Sequence, residues 1–282
     1  IFYEEMAYVN APMGRYTGSV VFVGESIVAY GSAEQQREYL PRIARGEITC
    51  CWALSEPSGG SDAASLRTRA EPQPDGGYRL NGQKIFTSGA HLADIGMVAA
   101  RTNPDVAKHR GISVFLVPMK QPAITIQPLW TIGGWRVNQV FFDDVMLPAK
   151  ALMGQQDQGW PNIRITLNFE RSAIGKVGLL MRLFDKIRAY AAGRHDDVSP
   201  ALRARLVDLR AEIEALRWMS YQIAWLQDQG QAPDTLASMS KLRSSELAIA
   251  ISELGMDVAG ERGPERGEEA PMGGEMEYIY RN

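Results

Sequence analysis

Two short stretches carry residue types that suit a flat ligand with polar edges. The first runs Cys51-Trp-Ala-Leu-Ser-Glu-Pro-Ser-Gly-Gly-Ser-Asp62. Trp52 offers a broad apolar face, and Ser55 sets a hydroxyl a few residues further along a strand that includes Leu54. Gly59 and Gly60 let the backbone approach a ligand closely, and Ser61 adds a hydroxyl where amide N–H groups can cradle phosphate oxygens. On residue types alone this is also a strand leading into a Pro-Gly turn, and that plainer reading is the stronger. The second stretch, Asn81-Gly-Gln-Lys-Ile-Phe-Thr-Ser-Gly-Ala-His-Leu-Ala-Asp94, gathers Phe86, Thr87 and Ser88 before Gly89. An aromatic ring beside two hydroxyls again suits a ring with acceptor atoms, and alone it is weak.

Glu170 is the candidate for acid–base chemistry. On a helix spanning about 161–192 it stands in line with Leu167, Ile174, Val177 and Met181. Its neighbours one turn away are Thr166, Leu167, Ala173 and Ile174, none of them a cation. A carboxylate so placed has a raised pKa, as a general base needs. The alternative, equally supported by the residues, is a buried Glu paired with Arg210 or Arg217 from another helix.

Three kinds of element must position these groups. Residues 1–45 read as helix, with Ser32 as N-cap and Gln35 three residues on. From about 48 to 150, short apolar or alternating runs (77–80, 95–100, 112–117, 123–126, 139–142) alternate with Pro- and Gly-rich turns, which predicts an antiparallel β domain. From about 160 to 260 the period is helical: Leu202, Leu206, Leu209, Ile213, Leu216 and Ile223 share one stripe, and Arg210 with Glu214 forms an i,i+4 pair. A further stripe over 236–259 ends at Gly260, and 261–277, rich in Gly, Glu and Pro, reads as loosely ordered. The domains expected are therefore 1–46, 47–156 and 157–282.

Composition narrows the function classes. The 282 residues are 45% hydrophobic and 22% charged, with a net charge of −3 spread evenly along the chain. That balance offers no basic field for nucleic acid or for an anionic membrane, and no apolar run is long enough to span a bilayer. The adjacent Cys50 and Cys51 cannot staple a long loop and read as buried structural thiols in a reducing compartment. His91, His109 and His195 lack metal-ligand spacing, so no metal is expected and all three read as loop or solvent residues. There is no dinucleotide-binding glycine motif, P-loop or zinc-protease motif. The chain opens at Ile1 without an initiator Met, so an N-terminal piece is expected to be missing, and the location expected is cytoplasmic.

The two stretches together, with Val140-Phe-Phe-Asp-Asp-Val-Met-Leu-Pro148, the run Gly-Gln-Gln-Asp-Gln-Gly-Trp at 154–160 and Leu167-Asn-Phe-Glu-Arg171, closely resemble the acyl-CoA dehydrogenase family. The resemblance covers roughly residues 1 to 260. It implies an α+β multidomain fold: a remnant of an N-terminal helical domain, a middle antiparallel β-barrel-like domain and a C-terminal four-helix bundle. It also implies FAD and α,β-dehydrogenation of an acyl-CoA thioester to the trans-2-enoyl-CoA, as in fatty-acid β-oxidation. Trp52, Leu54 and Ser55 match the family's wall along the flavin ring, Gly60 and Ser61 its pyrophosphate site, and Ser61 also its acyl-CoA site. Phe86 stands where the family often has Trp, next to Thr87, and Ser88 where a hydroxyl reaches toward flavin N5.

Family members carry the base either on this bundle helix or in a loop near the C-terminus. The loop position here is Gly274, so the resemblance implies Glu170 as base, in the isovaleryl and long-chain arrangement, with Glu275 one residue off as the fallback. It further implies Asn168 and Arg171 near the substrate. The family's Arg and Phe-Gly pair for a neighbouring FAD is missing from 193–200, where Arg194 is the substitute. Partners implied are an electron-transfer flavoprotein and further copies in a homodimer or tetramer. The alternatives are a non-catalytic subunit of a heterotetramer and an acyl-CoA oxidase.

Overall fold

The computed structural model describes residues 1–282 except 172–173, 194–197 and 232, with the side chains of residues 15 and 168–171 also outside the description. It divides into two compact units, Gly14–Glu170 and Ile1–Met13 with Arg171–Asn282. The helices begin with α1 (Phe2–Tyr8), α2 (Gly14–Tyr16), a π-helical stretch at Thr17–Gly24, α3 (Glu25–Tyr30) and α4 (Ala33–Ala44).

The start of α4 follows from its sequence. Ser32 Oγ accepts from the Gln35 amide at 3.1 Å while the Ser32 amide donates to Gln35 Oε1 at 2.9 Å, the reciprocal cap expected of this pair. The Gln35 carboxamide also donates to the carbonyls of Lys150 and Leu152, fixing α4 against the end of the sheet.

The sheet of the first unit contains β1 (Cys50–Ala53), β2 (Arg69–Pro72), β3 (Tyr78–Lys84), β4 (Ile95–Arg101), β5 (Ile112–Pro118), β6 (Ile124–Trp130), β7 (Arg136–Leu147) and β8 (Leu152–Met153). The order is β6-β7-β3-β2-β4-β5-β8, with β1 added on β4. Most pairings are antiparallel, as expected. Two are not: β1 and β2 both run parallel to β4. One edge of β4 is filled by β5 along its whole length. The other edge therefore takes β1 at Ile95–Val98 and then β2 at Arg101, end to end. Residues 54–68 are an excursion between two collinear strands, and this arrangement needs no helical crossover.

Both faces of β4 and β5 are covered, which explains their unbroken apolar sequence. Val98, Ala100, Phe115 and Val117 join Leu80, Val140 and Phe142 in one core. Met97, Ala99, Val114 and Leu116 join Val23, Ile27, Ile43 and Ile163 in a second core beneath the helices. Cys50 and Cys51 divide between these two cores, and burial pushes both thiols up to about 12, so they are structural thiols as expected. Helix α5 (Gly159–Arg171) belongs to the second core through Ile163, Trp160 and Leu167.

The second unit holds α6 (Ile174–Ala192), α7 (Pro200–Asp228), α8 (Asp234–Ala259) and α9 (Glu275–Arg281) with α1. Leu209, Ile213, Leu216 and Ile223 are buried along α7, as their spacing predicts, and Gly260 closes α8 at φ 63°. Helix α1 crosses α6 at Gly178, where any Cβ would lie 2.0 Å from the Glu4 carbonyl oxygen. The buried Glu4 carboxylate takes Arg217 at 2.6 Å and the Tyr221 hydroxyl.

The tail differs from expectation. Residues 261–277 are built into the unit: Ala270, Pro271, Met276 and Glu277 are buried, and Met276 packs against Gly255 of α8. Its Gly and Glu content reads as loose because burial is not visible in that composition and the partners of Glu275 lie about ninety residues away in sequence. Glu277 takes Arg266 and Arg281, and Glu275 takes Arg182 and Lys186.

Candidate active site

Strand β1 carries Trp52 to the edge of the second core, where it packs beside Phe22 with ring centroids 6.1 Å apart. The chain then leaves the sheet at Leu54 and Ser55. A tight turn follows, in which the Glu56 and Gly59 backbones exchange hydrogen bonds at 3.0 Å in both directions. Pro57 at the second position presets this turn. Past it, Gly60, Ser61 and Asp62 are exposed, with Asp62 paired to Lys108 at 2.6 Å.

The second stretch lies directly against the first. The Ile85 amide donates to the Ser55 carbonyl at 2.9 Å, so Ser55 and Phe86 are brought to one place on the fold. Phe86 is exposed, Thr87 buried and Ser88 exposed. Phe86 has φ 56°. For a bulky aromatic that is a left-handed outlier, costing roughly 1–2 kcal/mol and kept only where surrounding contacts over-determine it.

Those contacts come from residues that sequence reading left without a role. Asn138, wholly buried on β7, accepts the Thr87 amide on its main-chain carbonyl at 3.0 Å and donates its side-chain Nδ2 to the Thr87 carbonyl at 2.8 Å. Lys84, also wholly buried, donates to the Leu54 carbonyl at 3.0 Å and to Glu56 Oε1 at 2.8 Å. Glu56 further accepts the amides of Arg67 and Thr68 at 2.6 and 2.9 Å, closing the excursion at its far end. Burial pushes the Glu56 carboxyl up, but Lys84 and these amides outweigh it and hold it below the usual range. Burial pushes Lys84 down to about 8 against the pull of Glu56.

Both missed residues share a signal. Lys84 has the inward parity of Tyr78 and Leu80 on β3, and Asn138 that of Val140 and Phe142 on β7. A polar residue on the buried parity of an alternating strand must find partners.

The remaining candidates divide. Glu170, Asn168 and Arg171 lie at the end of α5, and their side chains fall outside the described residues, as do Arg194 and His195. The two arginines considered as partners for Glu170 have other carboxylates: Arg210 takes Glu214 at 2.7 Å and Arg217 takes Glu4. Glu275 has Arg182 at 2.5 Å and Lys186 at 2.6 Å. Burial raises its carboxyl, but the two cations more than offset this and leave it depressed, the wrong direction for a base. His91 and His109 are exposed loop residues. Among the described residues no group could hold a metal ion, and no helix is long and apolar enough to cross a membrane.

The residues at Trp52–Ser61 and Phe86–Ser88 fit a flavin cofactor on three counts. Trp52 Nε1 and Thr87 Oγ1 are buried with no hydrogen-bond partner. A Cβ on Gly60 or Gly89 would meet open space, so the backbone there is free for close approach. Ser55, Ser61 and Ser88 add hydroxyl donors to the same two stretches, Ser61 and Ser88 exposed and Ser55 half-buried.

Comparison with known proteins identifies the family. Residues 1–47, 51–145 and 157–282 match the N-terminal, middle and C-terminal domains of acyl-CoA dehydrogenase. The acyl-CoA dehydrogenase IpdE1 of Mycobacterium tuberculosis is 35% identical over 93% of this chain and 68% of its own length. The acyl-CoA dehydrogenase FadE34 of the same organism is 38% identical over 83% of this chain, which spans only 33% of that longer protein. Among solved structures, the Tcur3481-Tcur3483 steroid ACAD superposes with a TM-score of 0.89 at 31% identity, covering 99% of this chain and 73% of that one. FAD is the cofactor of these proteins, and the fold, the motifs and the relatives together assign this chain to the acyl-CoA dehydrogenase family.

Proposed function

We propose that this chain is the flavin-binding and catalytic part of an enzyme that introduces an α,β double bond into an acyl-CoA thioester. The observation that carries the reading is the hydrogen bond from Ile85 to Ser55, which joins the two ligand-binding stretches into one wall around Phe86. FAD, when bound, supplies the acceptor for the β-hydrogen as hydride.

The chain's own residues do the rest. Trp52, Leu54 and Ser55 flank the ring, Gly60 and Ser61 meet the pyrophosphate, and Phe86, Thr87 and Ser88 form the facing wall. Glu170 takes the α-proton of the thioester, and Asn168 and Arg171 line the substrate path. This role for Glu170 is supported by its place on α5 one turn beyond the buried Thr166, and by the prior engagement of Glu275. The electron acceptor proposed is an electron-transfer flavoprotein.

The purified full-length protein should show a flavin absorption spectrum that bleaches on addition of an acyl-CoA. A panel of short, branched, long, cyclic and steroid-derived acyl-CoAs identifies the substrate. A colourless protein that cannot be reconstituted with FAD sinks the reading. A second reading, membership of a two-chain assembly, is favoured by the 31% identity to the Tcur3481-Tcur3483 steroid ACAD. Co-purification of a second homologous chain with the flavin would establish it.

A further inference from the structure

Phe86 adopts a backbone conformation that a bulky L-residue avoids, and it does so at the exposed face of the proposed flavin wall. Something must hold it there. On its N-terminal side the Ile85 amide is bound to Ser55. On its C-terminal side the Thr87 N–H donates to the main-chain carbonyl of Asn138, and the Thr87 C=O accepts from the Asn138 side-chain Nδ2.

The Asn138 carboxamide has its groups engaged. Nδ2 donates to the Thr87 carbonyl and faces His91 Nδ1 at 3.3 Å, while Oδ1 accepts from Arg136 Nε at 3.1 Å. It is a short, fully buried side chain held by partners on both its oxygen and its nitrogen, so it behaves as a fixed brace. No apolar side chain of similar size reproduces the bond to Thr87.

We propose that Asn138 is a positioning residue for the flavin: it clamps Thr87 and thereby holds Phe86 in the left-handed conformation that sets the Phe86 ring and the Ser88 hydroxyl on the cofactor. This rests on the flavin reading above, and Asn138 itself touches neither cofactor nor substrate. Without the clamp, the turn relaxes to an unstrained conformation and the wall shifts while the remainder of the sheet keeps its register.

The test is Asn138→Ala in the FAD-loaded full chain, with Asn138→Asp as the second variant. The aspartate keeps the volume and the acceptor for Arg136 but sets an oxygen against the Thr87 carbonyl. Three readings are made: the FAD dissociation constant, the shape of the visible flavin band, and the rate of flavin reduction at saturating substrate. Both variants should keep the wild-type far-UV circular dichroism, weaken FAD by roughly tenfold, alter the band and slow reduction, with the substrate concentration at half-maximal rate little changed. In a Phe86→Gly background, where the left-handed conformation carries no penalty, Asn138→Ala should change FAD affinity by less than about twofold. Wild-type band shape, affinity and reduction rate in both variants overturn the proposal while the flavin reading stands. If Asn138→Ala fails to fold, the same readings on Asn138→Asp decide. A wild-type chain that takes up no FAD overturns both readings at once, and that outcome is distinct because it appears before any variant is made.

Discussion

A single ammonium group, that of Lys84, bridges the Leu54 carbonyl at the end of β1 and the Glu56 carboxylate in the turn that follows. Neither charged side chain reaches solvent to any extent. The pair thus ties the start of the 54–68 excursion to β3, and Glu56 carries the tie on to Thr68 at its end.

Breaking one half of a buried pair leaves the other charge stranded. Lys84→Met or Glu56→Gln should each lower the stability of the chain by about 3–5 kcal/mol, whereas Lys84→Met combined with Glu56→Gln should cost less than the sum. Urea titrations of the three variants check this, and strictly additive losses would show that the two groups are not coupled.

Glu170→Gln should leave FAD bound and its spectrum intact while slowing bleaching by acyl-CoA roughly a hundredfold to ten-thousandfold, the usual range for a lost general base. Stopped-flow absorbance at the flavin band measures it. Glu275→Gln should leave the rate within a few-fold of wild type; the opposite ranking of the two variants would move the base to the tail.

The acid limb of stability should depend on Glu275 and Glu277. Both are held below the ordinary carboxylate value of 4.5: burial opposes this, but Arg182 and Lys186 outweigh it for Glu275, and Arg281 and Arg266 for Glu277. With a depressed folded-state pKa the unfolded chain binds more protons between the folded value and 4.5, so their contribution is present above pH 4.5 and lost as pH falls through the folded values. The thermal midpoint should therefore fall with pH below 4.5, and Glu275→Gln should flatten that fall. An unchanged pH slope in the variant would contradict the assignment.

How much of this was legible follows from range in sequence. The Ser32–Gln35 cap and the Arg210–Glu214 pair lie within one turn of helix, and both were readable from spacing. The meeting of Trp52–Ser61 with Phe86–Ser88 was readable only through the family resemblance, since no local rule links residues so far apart. The parallel placement of β1 and β2 on β4 was not readable, because their short strands carry no mark of direction. Lys84 and Asn138 left a trace in the strand parity, yet a lysine or asparagine on an inward register is informative only once the apolar face is known. The tail reads as loose because Glu and Gly suggest disorder until Arg182 and Lys186 of α6 are set beside Glu275.

The end-to-end seating of β1 and β2 along one edge of β4 separates the scaffold from the proposed ligand wall. Strand register is set by residues 50–53 and 69–72, while the excursion between them is tethered outside the ladder: Glu56 to Arg67 and Thr68, Ser55 to Ile85, and the Ala64 carbonyl to Arg101. The exposed stretch from Gly60 to Asp62 can therefore vary in length and chemistry without disturbing a single ladder hydrogen bond or the buried Ala63 and Ala64. In evolutionary terms it is an interchangeable cassette: a lineage can retune what the pocket recognises there while the sheet that displays it stays the same.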